Sequence, residues 1–522
     1  MGIKEVNLRS SAQAVLTSDQ ISSLLIRTGK KPKDRENRMK SRYDSRLLHA
    51  SCEVISKTQV AGKQEVISEL KASCEDNSIT KQFYHHGATM SNLEGFQDPS
   101  KARKDTSWYL QNRCARRLLK KFLHVTSLEP LKVTKDCDPL DFFANPEASA
   151  GAIGEGSKAD NAELCLSTAL KIKGMIHAGL DFSTIQVPLM PFHRAQIGDY
   201  CEDGHLTGTV SLKDRLVLGV DGGTVMVEGQ YFIPFYNHLK SNFWSYSGGD
   251  DPQTLRRKIY SCWGMNWLSV DYSKFDQSIQ DWLIRQVFGI IKEFFDVQYH
   301  REIDWICYNF THGNILLGWD QAIAPINRGI ISGSFGTQAI GTLCNLYMFL
   351  SYLCDLGYRE MVAPKAKRID DEEKINIIIR YVESLACKDG HLTLQGMGDD
   401  LLAFTMRSID VSDLSRYVER IFGVKIHDDE KGARSGFRTA PYYLKRQWRG
   451  LSGEYRDLLD LFVNLVHPEH VRHYEEKGFS PWHILYGIFL TYRASFPGIS
   501  EDWLIEKMND TGGIDALLRL EP

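Results

Sequence analysis

Met265-Asn266-Trp267-Leu268-Ser269-Val270-Asp271-Tyr272-Ser273-Lys274-Phe275-Asp276 and His391-Leu392-Thr393-Leu394-Gln395-Gly396-Met397-Gly398-Asp399-Asp400-Leu401-Leu402-Ala403-Phe404 are the two stretches whose reading decides the fold. In the first, a short apolar run of β character ends in Asp271, and a second carboxylate, Asp276, follows five residues later. In the second, two apolar runs flank Gly-Asp-Asp, the pattern of a β-hairpin, with a type I′ turn as the plain expectation. Neither suffices alone. An Asp after a strand is more often a turn or helix cap, and Gly-Asp-Asp arises by chance in about one chain in ten of this size. The combination says more. Asp271 and Asp399 each close a strand-like run, and if the strands are neighbours in one sheet the two carboxylates converge and share a pair of divalent ions. Two such ions about 4 Å apart activate an attacking hydroxyl, stabilise the leaving oxygen and neutralise a triphosphate. Oxygen ligands select Mg²⁺ or Mn²⁺.

Between these stretches lies Arg328-Gly329-Ile330-Ile331-Ser332-Gly333-Ser334-Phe335-Gly336-Thr337, a Gly/Ser loop that lets backbone approach a sugar or base closely. It leads into a charge-free segment, Gly329 to Cys354, long enough to cross a bilayer. Ser332, Thr337, Gln338, Thr342 and Asn345 crowd its first two thirds, which predicts a buried helix with a polar start rather than a membrane span. On that helix Thr337 and Asn345 fall on nearly one face. Ile279, Leu283, Val287, Ile290 and Phe294 recur at helical spacing, as do Tyr455, Leu458, Leu459, Phe462 and Leu465. Ser480 before Pro481 reads as the cap of a further helix running to about Tyr492, so the C-terminal seventy or so residues are expected to be mainly helical.

Farther out, 522 residues with 43% hydrophobic and 25% charged content give ample material for a core and exclude disorder throughout. With 63 basic and 66 acidic residues the net charge is −3, so any polyanion must be held by locally concentrated charge. Two basic clusters qualify, one from Arg27 to Arg46 and one comprising Lys101, Arg103, Lys104, Arg113, Arg116, Arg117, Lys120 and Lys121, each readable as a solvated helix face or as a nucleic-acid contact. Ala148 to Gly156, rich in Ala, Ser and Gly, reads as a flexible loop without the P-loop lysine. Eleven cysteines, none in a CxxC pair, suggest buried thiols in a reducing compartment. The start Met1-Gly2-Ile3-Lys4-Glu5 lacks a signal-peptide core, which predicts a cytosolic protein.

These residues resemble the RNA-dependent RNA polymerases of RNA viruses, above all those of the double-stranded RNA picobirnaviruses and related partitiviruses. Asp271-Tyr272-Ser273-Lys274-Phe275-Asp276 is similar to polymerase motif A, Ser332-Gly333 with Thr337 and Asn345 to motif B, and Gly398-Asp399-Asp400 to motif C, in the family's order and roughly sixty residues apart. Phe422 to Lys431 resembles motif D, Tyr443-Leu444-Lys445-Arg446 motif E, Lys213-Asp214-Arg215 the end of motif F, and Ser149-Ala150-Gly151 motif G; Arg194 is a weaker motif F candidate. One departure concerns the place four residues after Thr337, where many positive-strand RNA virus polymerases carry Asn and this chain has Gly341.

The resemblance implies an α+β right-hand architecture of fingers, palm and thumb with a central antiparallel palm sheet. The expected divisions are an N-terminal extension (1–100) bridging fingers and thumb, fingers (101–255), palm with motif A (256–280), a fingers insertion (281–325), palm with motifs B to E (326–446) and thumb (447–522). It implies that Asp271 and Asp399, with Asp400 in support, hold two Mg²⁺ or Mn²⁺ ions, and that Lys431 protonates the leaving pyrophosphate. Asp276 would read the ribose 2′-hydroxyl with Ser332, Thr337 or Asn345, Gly333 would lie at the nucleotide, and Lys213 and Arg215 over the triphosphate. Ser149 and Gly151 would line the template path, and Lys445 and Arg446 the product backbone. Expected partners are template and product RNA, ribonucleoside triphosphates and a viral capsid protein, for a monomer outside any membrane, in the virion and the host cytoplasm, that replicates and transcribes a segmented double-stranded RNA genome without a primer. A reverse transcriptase is the first rival, opposed by Asp276, where those enzymes place a bulky side chain. An RNA-binding scaffold without turnover is the second, opposed by the intact carboxylates.

Overall fold

A four-stranded antiparallel sheet is built from β1 (Asn266–Val270), β2 (Leu394–Met397), β3 (Asp400–Thr405) and β4 (Ala433–Phe437), in the order β2-β3-β1-β4. The two sequence stretches are therefore neighbours: Leu401 faces Val270, and Phe404 faces Trp267. Met397 pairs with Asp400, which leaves Gly398-Asp399 as a two-residue turn. Leu268, Val270, Leu401 and Ala403, alternate residues on one face, join the large apolar core.

The computed structural model of the chain describes residues 6–7, 15–16, 38–40, 43–75, 80–82, 93, 95–97, 106–197, 201–202, 205–206, 212–316, 322–364, 369–427, 432–449, 454–467, 473–476 and 478–511. The chain divides into two compact units, one comprising Met1–Lys33, Thr89–Phe192 and Leu216–Thr439, the other Asp34–Ala88, His193–Arg215 and Ala440–Pro522.

In the first unit the sheet lies among α1 (Thr106–Leu123), α2 (Ala162–His177), α3 (Gly222–Asn242), α4 (Asp281–Ile291), α5 (His300–His312), α6 (Thr337–Gly357), α7 (Asp371–Ala386) and α8 (Val411–Phe422). The stripe expected on α4 is present: Leu283, Val287 and Ile290 are buried, with Ile279 and Phe294 in the flanking turns. The span Thr337–Val362 is apolar and long enough to cross a membrane, yet 94% of its most apolar window is buried inside the protein, so it is a core helix. On α1 the basic residues meet acids rather than open solvent. Arg113 and Arg117 pair with Glu372, Arg116 and Lys120 with Glu293, and Lys121 with Glu383. Half-exposed pairs of this kind contribute little stability, but they take up the charge that a nucleic acid would need. The other basic cluster lies outside the described residues, apart from the backbone of Arg38–Lys40 and from Arg46, which pairs with Glu475 at 2.6 Å.

The segment 148–156 departs from the flexible loop that its composition predicts. Ala150 N–H donates to Gly156 O at 3.0 Å and Lys158 N–H to Ala148 O at 2.8 Å, and Ala150, Ala152 and Ile153 are buried. Small residues here allow close packing: a Cβ at Gly151, which has φ +75°, would stand 2.7 Å from Asp221 Cα.

The second unit has its own apolar core, formed by Leu47, Val54, Leu70, Phe462, Leu485 and Phe489 among others. Its helices include Ser45–Lys57, Lys63–Glu75, Leu458–Val466, Pro481–Thr491 and Glu501–Asn509. Ser480 starts Pro481–Thr491 as expected, its N–H donating to His483 Nδ1 at 3.1 Å. Tyr455 belongs to a strand, Glu454–Tyr455, and not to the helix its spacing suggested, because Asp457 caps that helix by accepting from Leu459 N–H at 2.9 Å. The ten cysteines with described side chains are unpaired thiols.

Candidate active site

Asp271 follows β1 directly, and Asp400 opens β3. Since Leu401 faces Val270, the next residues outward, Asp400 and Asp271, stand opposite one another and project from the same face, with Cβ atoms expected about 5 Å apart. Asp399 adjoins them on the turn; Asp271 and Asp399 are exposed and Asp400 half-buried. The backbone of Asp271 is pinned on both sides, its N–H donating to Gly432 O at 2.9 Å and its carbonyl accepting from His427 N–H at 3.2 Å. In the turn, Gly398 has φ +64° while Asp399 does not enter the left-handed region. That is the pattern of a type II′ turn, not the expected I′: glycine takes the whole conformational burden and the aspartate keeps ordinary geometry.

The turn is held from α6. Gly398 N–H donates to Thr342 Oγ1 at 2.8 Å, and the Asn345 amide donates to Gly398 O at 3.1 Å and to Asp399 O at 2.8 Å. Asn345 is fully buried. Both of its amide donors are spent on the turn, a role apart from the ribose contact that its resemblance to motif B implies.

The loop before α6 is tied to three elements. Ile330 N–H donates to Asp276 O at 2.6 Å and Gly329 N–H to Ile279 O at 2.8 Å, so the exposed Asp276 and the loop are joined through their main chains. Gly333 N–H donates to Leu218 O at 2.9 Å, and Leu218 N–H to Ser332 Oγ at 3.0 Å. A Cβ at Gly333 would lie 2.4 Å from Leu218 O, so a close backbone approach requires glycine. The third tie is Glu228 of α3, whose Oε2 accepts from Ser334 Oγ at 2.8 Å and Phe335 N–H at 2.7 Å. Burial pushes its carboxyl up to about 7, against the pull of those hydrogen bonds. Thr337 Oγ1 donates to Ile331 O at 2.5 Å and Ser334 O at 2.8 Å, closing the loop on itself. Ser332, Gly333 and Thr337 remain half-buried, each engaged in shaping the loop.

Of the other expected site residues, Ser149 is exposed, with its Oγ accepting from Gly151 N–H at 3.1 Å. Gly151 is buried against the Asp221 backbone, next to the exposed Ser149. Lys213 and Arg215 lie on the strand Leu212–Gly219 and Arg194 on Met190–Ile197, their side chains outside the described residues, as is Lys431. Lys445 is exposed on a hairpin turn, and the Arg446 guanidinium covers the rings of Trp448 at 5.7 Å and Tyr492 at 5.0 Å. Sequence reading missed Glu228, Thr342 and Arg434. Arg434 faces Ser269 across β1 and β4, on the same face as Asp271; the strand itself, unassigned from sequence, was the missing signal.

Among the described residues no three His, Cys, Asp or Glu side chains close on one point to hold a metal by themselves. The all-oxygen set of Asp271, Asp399 and Asp400 nonetheless fits Mg²⁺ chemistry, because phosphoryl-transfer sites bind that ion through one or two carboxylates and complete its shell with substrate phosphates and water.

Comparison with known proteins gives the same picture. Residues 72–493 match the family described as viral RNA-dependent RNA polymerase. The RNA-directed RNA polymerase of Cryptosporidium parvum virus 1 (strain KSU-1) is 32% identical over 143 residues, 26% of this chain and 26% of that protein, so the match spans about a quarter of the relative. The crystal structure of the RNA-dependent RNA polymerase of a human picobirnavirus aligns over 99% of this chain and 92% of that one, with a TM-score of 0.59 at 12% identity. Its insertion-loop deletion mutant aligns over 99% and 94%, with a TM-score of 0.57 at 13% identity. At such identities the likeness is one of fold.

Proposed function

The chain belongs to the viral RNA-dependent RNA polymerases, and from that premise we propose that it is an RNA-directed RNA polymerase that replicates and transcribes a double-stranded RNA viral genome. The observation carrying this reading is the register that sets Asp271 opposite Asp400, with Asp399 on the adjoining turn. In the right-hand architecture the sheet is the palm (256–280 and 326–446), with fingers at 101–255 and 281–325, thumb at 447–522 and an N-terminal extension at 1–100.

Asp271 and Asp399, supported by Asp400, would hold two Mg²⁺ or Mn²⁺ ions, which when bound lower the pKa of the attacking hydroxyl and neutralise charge on the triphosphate. The chain's other residues position and discriminate. Asp276, exposed and tied through its carbonyl to Ile330, stands for the ribose 2′-hydroxyl. With Gly341 in place of an amide, its partner on the loop is Ser332 or Thr337. Lys213 and Arg215 present cations to the triphosphate and Lys431 a proton to the leaving pyrophosphate, while Ser149 lies along the template and Lys445 and Arg446 along the product backbone. Base pairing reads the template, so protein contacts go to backbone and shape. Initiation without a primer, a segmented genome, a monomeric enzyme, a capsid partner and residence in the virion and host cytoplasm complete the proposal.

The test is incorporation of labelled ribonucleotides on a single-stranded RNA template without primer, in Mg²⁺ or Mn²⁺, comparing wild type with Asp399→Asn. Template-length product is expected from wild type, with the variant reduced about a thousandfold. Equal product from both would remove Asp399 from the site. No product from either, with RNA bound, would favour the scaffold reading.

A further inference from the structure

We propose that Thr342 and Asn345 are positioning residues that fix the main chain of the Gly398-Asp399 turn and thereby aim the Asp399 carboxylate. The inference rests on the reading of Asp399 as a metal ligand. The two side chains stand three residues apart on α6, so they share one face, and both are fully buried. A two-residue hairpin pairs its flanking residues, here Met397 and Asp400, and leaves polar groups of the turn itself without ladder partners. The helix supplies three: an acceptor for Gly398 N–H, and donors for Gly398 O and Asp399 O.

Two further observations set this apart from ordinary packing. The orientation of the Asn345 amide is fixed, because a flip would point its oxygen at two carbonyls; as a result Oδ1 is buried without a hydrogen-bond partner. The amide is thus spent on the turn, both of its donors going to main-chain carbonyls that an apolar side chain would leave unmet. The approach of the helix to the hairpin is also built by a glycine. A Cβ at Gly396 would stand 3.1 Å from Thr342 Cγ2 and 3.3 Å from Leu346 Cγ, tighter than ordinary contact.

Asn345→Leu keeps the branching and heavy-atom count and removes both donors, although its methyls are bulkier than the amide. It should stay folded, with a melting temperature somewhat below that of wild type, and bind RNA normally. Its kcat should fall about 10- to 100-fold with KM for the nucleotide unchanged, since an ångström of misplacement costs that much. Mn²⁺ affinity by calorimetry should drop alongside, with Asp399→Asn as the reference for a lost site. Thr342→Val should behave similarly, whereas Thr342→Ser, which retains the acceptor, should restore the rate. Hydrogen exchange at the Gly398 amide, slow in wild type and faster in Thr342→Val, reads the clamp without turnover. Should wild type itself prove inactive, exchange and Mn²⁺ binding still decide the matter separately from the polymerase reading. Wild-type kcat, Mn²⁺ affinity and exchange in these variants would overturn the proposal. A rise in KM with loss of discrimination between ribo- and deoxyribonucleotides would return Asn345 to the nucleotide.

Discussion

Two hairpins of equal loop length, Met397–Asp400 in the first unit and Tyr443–Arg446 in the second, solve the same conformational problem in opposite ways. The first places glycine at its one left-handed position, Gly398, and draws on hydrogen bonds from Thr342 and Asn345, more than fifty residues distant. The second holds two ordinary residues, Leu444 at φ +54° and Lys445 at φ +57°, in the left-handed region. Each costs about 1–2 kcal/mol, and the support is local: Trp448 Nε1–H donates to Tyr443 O at 3.1 Å. The turn that carries the candidate metal-binding carboxylates is relaxed in itself and fixed from outside. A turn that presents a cation outward tolerates strain of its own.

The loop Ile331–Gly336 extends the comparison, since it too is fixed by a distant group, and it carries the largest effect expected on stability. Glu228 is held near 7 by burial, far above the ordinary value of 4.5, with Asp221 raising it further and Lys158 opposing. The native state therefore keeps a proton that the unfolded chain loses. Stability is full below about pH 4.5, falls as pH rises toward 7, and is flat above, for a total of about 3 kcal/mol. Glu228→Gln keeps an acceptor for Ser334 and Phe335 and removes the titration. Melting at pH 5 and pH 8 should show the variant gaining on wild type by about 3 kcal/mol at the higher pH. Parallel pH slopes would mean that Glu228 stays charged, and that the loop is fixed by an ion rather than by a neutral group.

Next in size is Gly398→Ala. Nothing lies within 4 Å of the added Cβ, so the cost is conformational alone, about 1–2 kcal/mol for holding alanine at φ +64°. If the clamp from α6 dominates, the turn keeps its shape: the melting temperature drops while turnover changes less than about threefold. If the turn instead relaxes to negative φ, Asp399 swings away and turnover falls with stability. The second outcome would reverse the ranking of local and distant support.

What was legible from sequence follows the same division. The strand-ending carboxylates, the Ile279–Phe294 stripe and the Ser480 cap each carry a local pattern, and the two apolar runs, read as strands that converge if they are neighbours, are paired as β1 and β3. The parts that were not legible involve partners far along the chain. Nothing near Asn345 signals that its amide meets Gly398, nothing near Glu228 signals Phe335, and the acids that neutralise Arg113 to Lys121 come from Glu293, Glu372 and Glu383. Small-residue composition at 148–156 misled for a related reason, since it serves close packing on Asp221 as readily as it serves mobility.

The strained hairpin offers the smallest and most specific test, because its two residues separate strain from charge. Leu444→Asn places at the first turn position a residue that tolerates the left-handed region, and should raise stability by about 0.5–1 kcal/mol with RNA binding unchanged. Lys445→Gly relieves the second position by a similar amount but removes an exposed cation. Its RNA affinity should therefore fall, and the slope of log K against log salt should lessen by about one contact. Opposite movements of stability and affinity in Lys445→Gly, beside stability alone in Leu444→Asn, would show that the turn keeps its strain for the position of the cation. A loss of stability in Leu444→Asn would instead show that the leucine side chain holds the turn through packing, and the contrast between the two hairpins would then concern which side chains do the holding rather than where the strain resides.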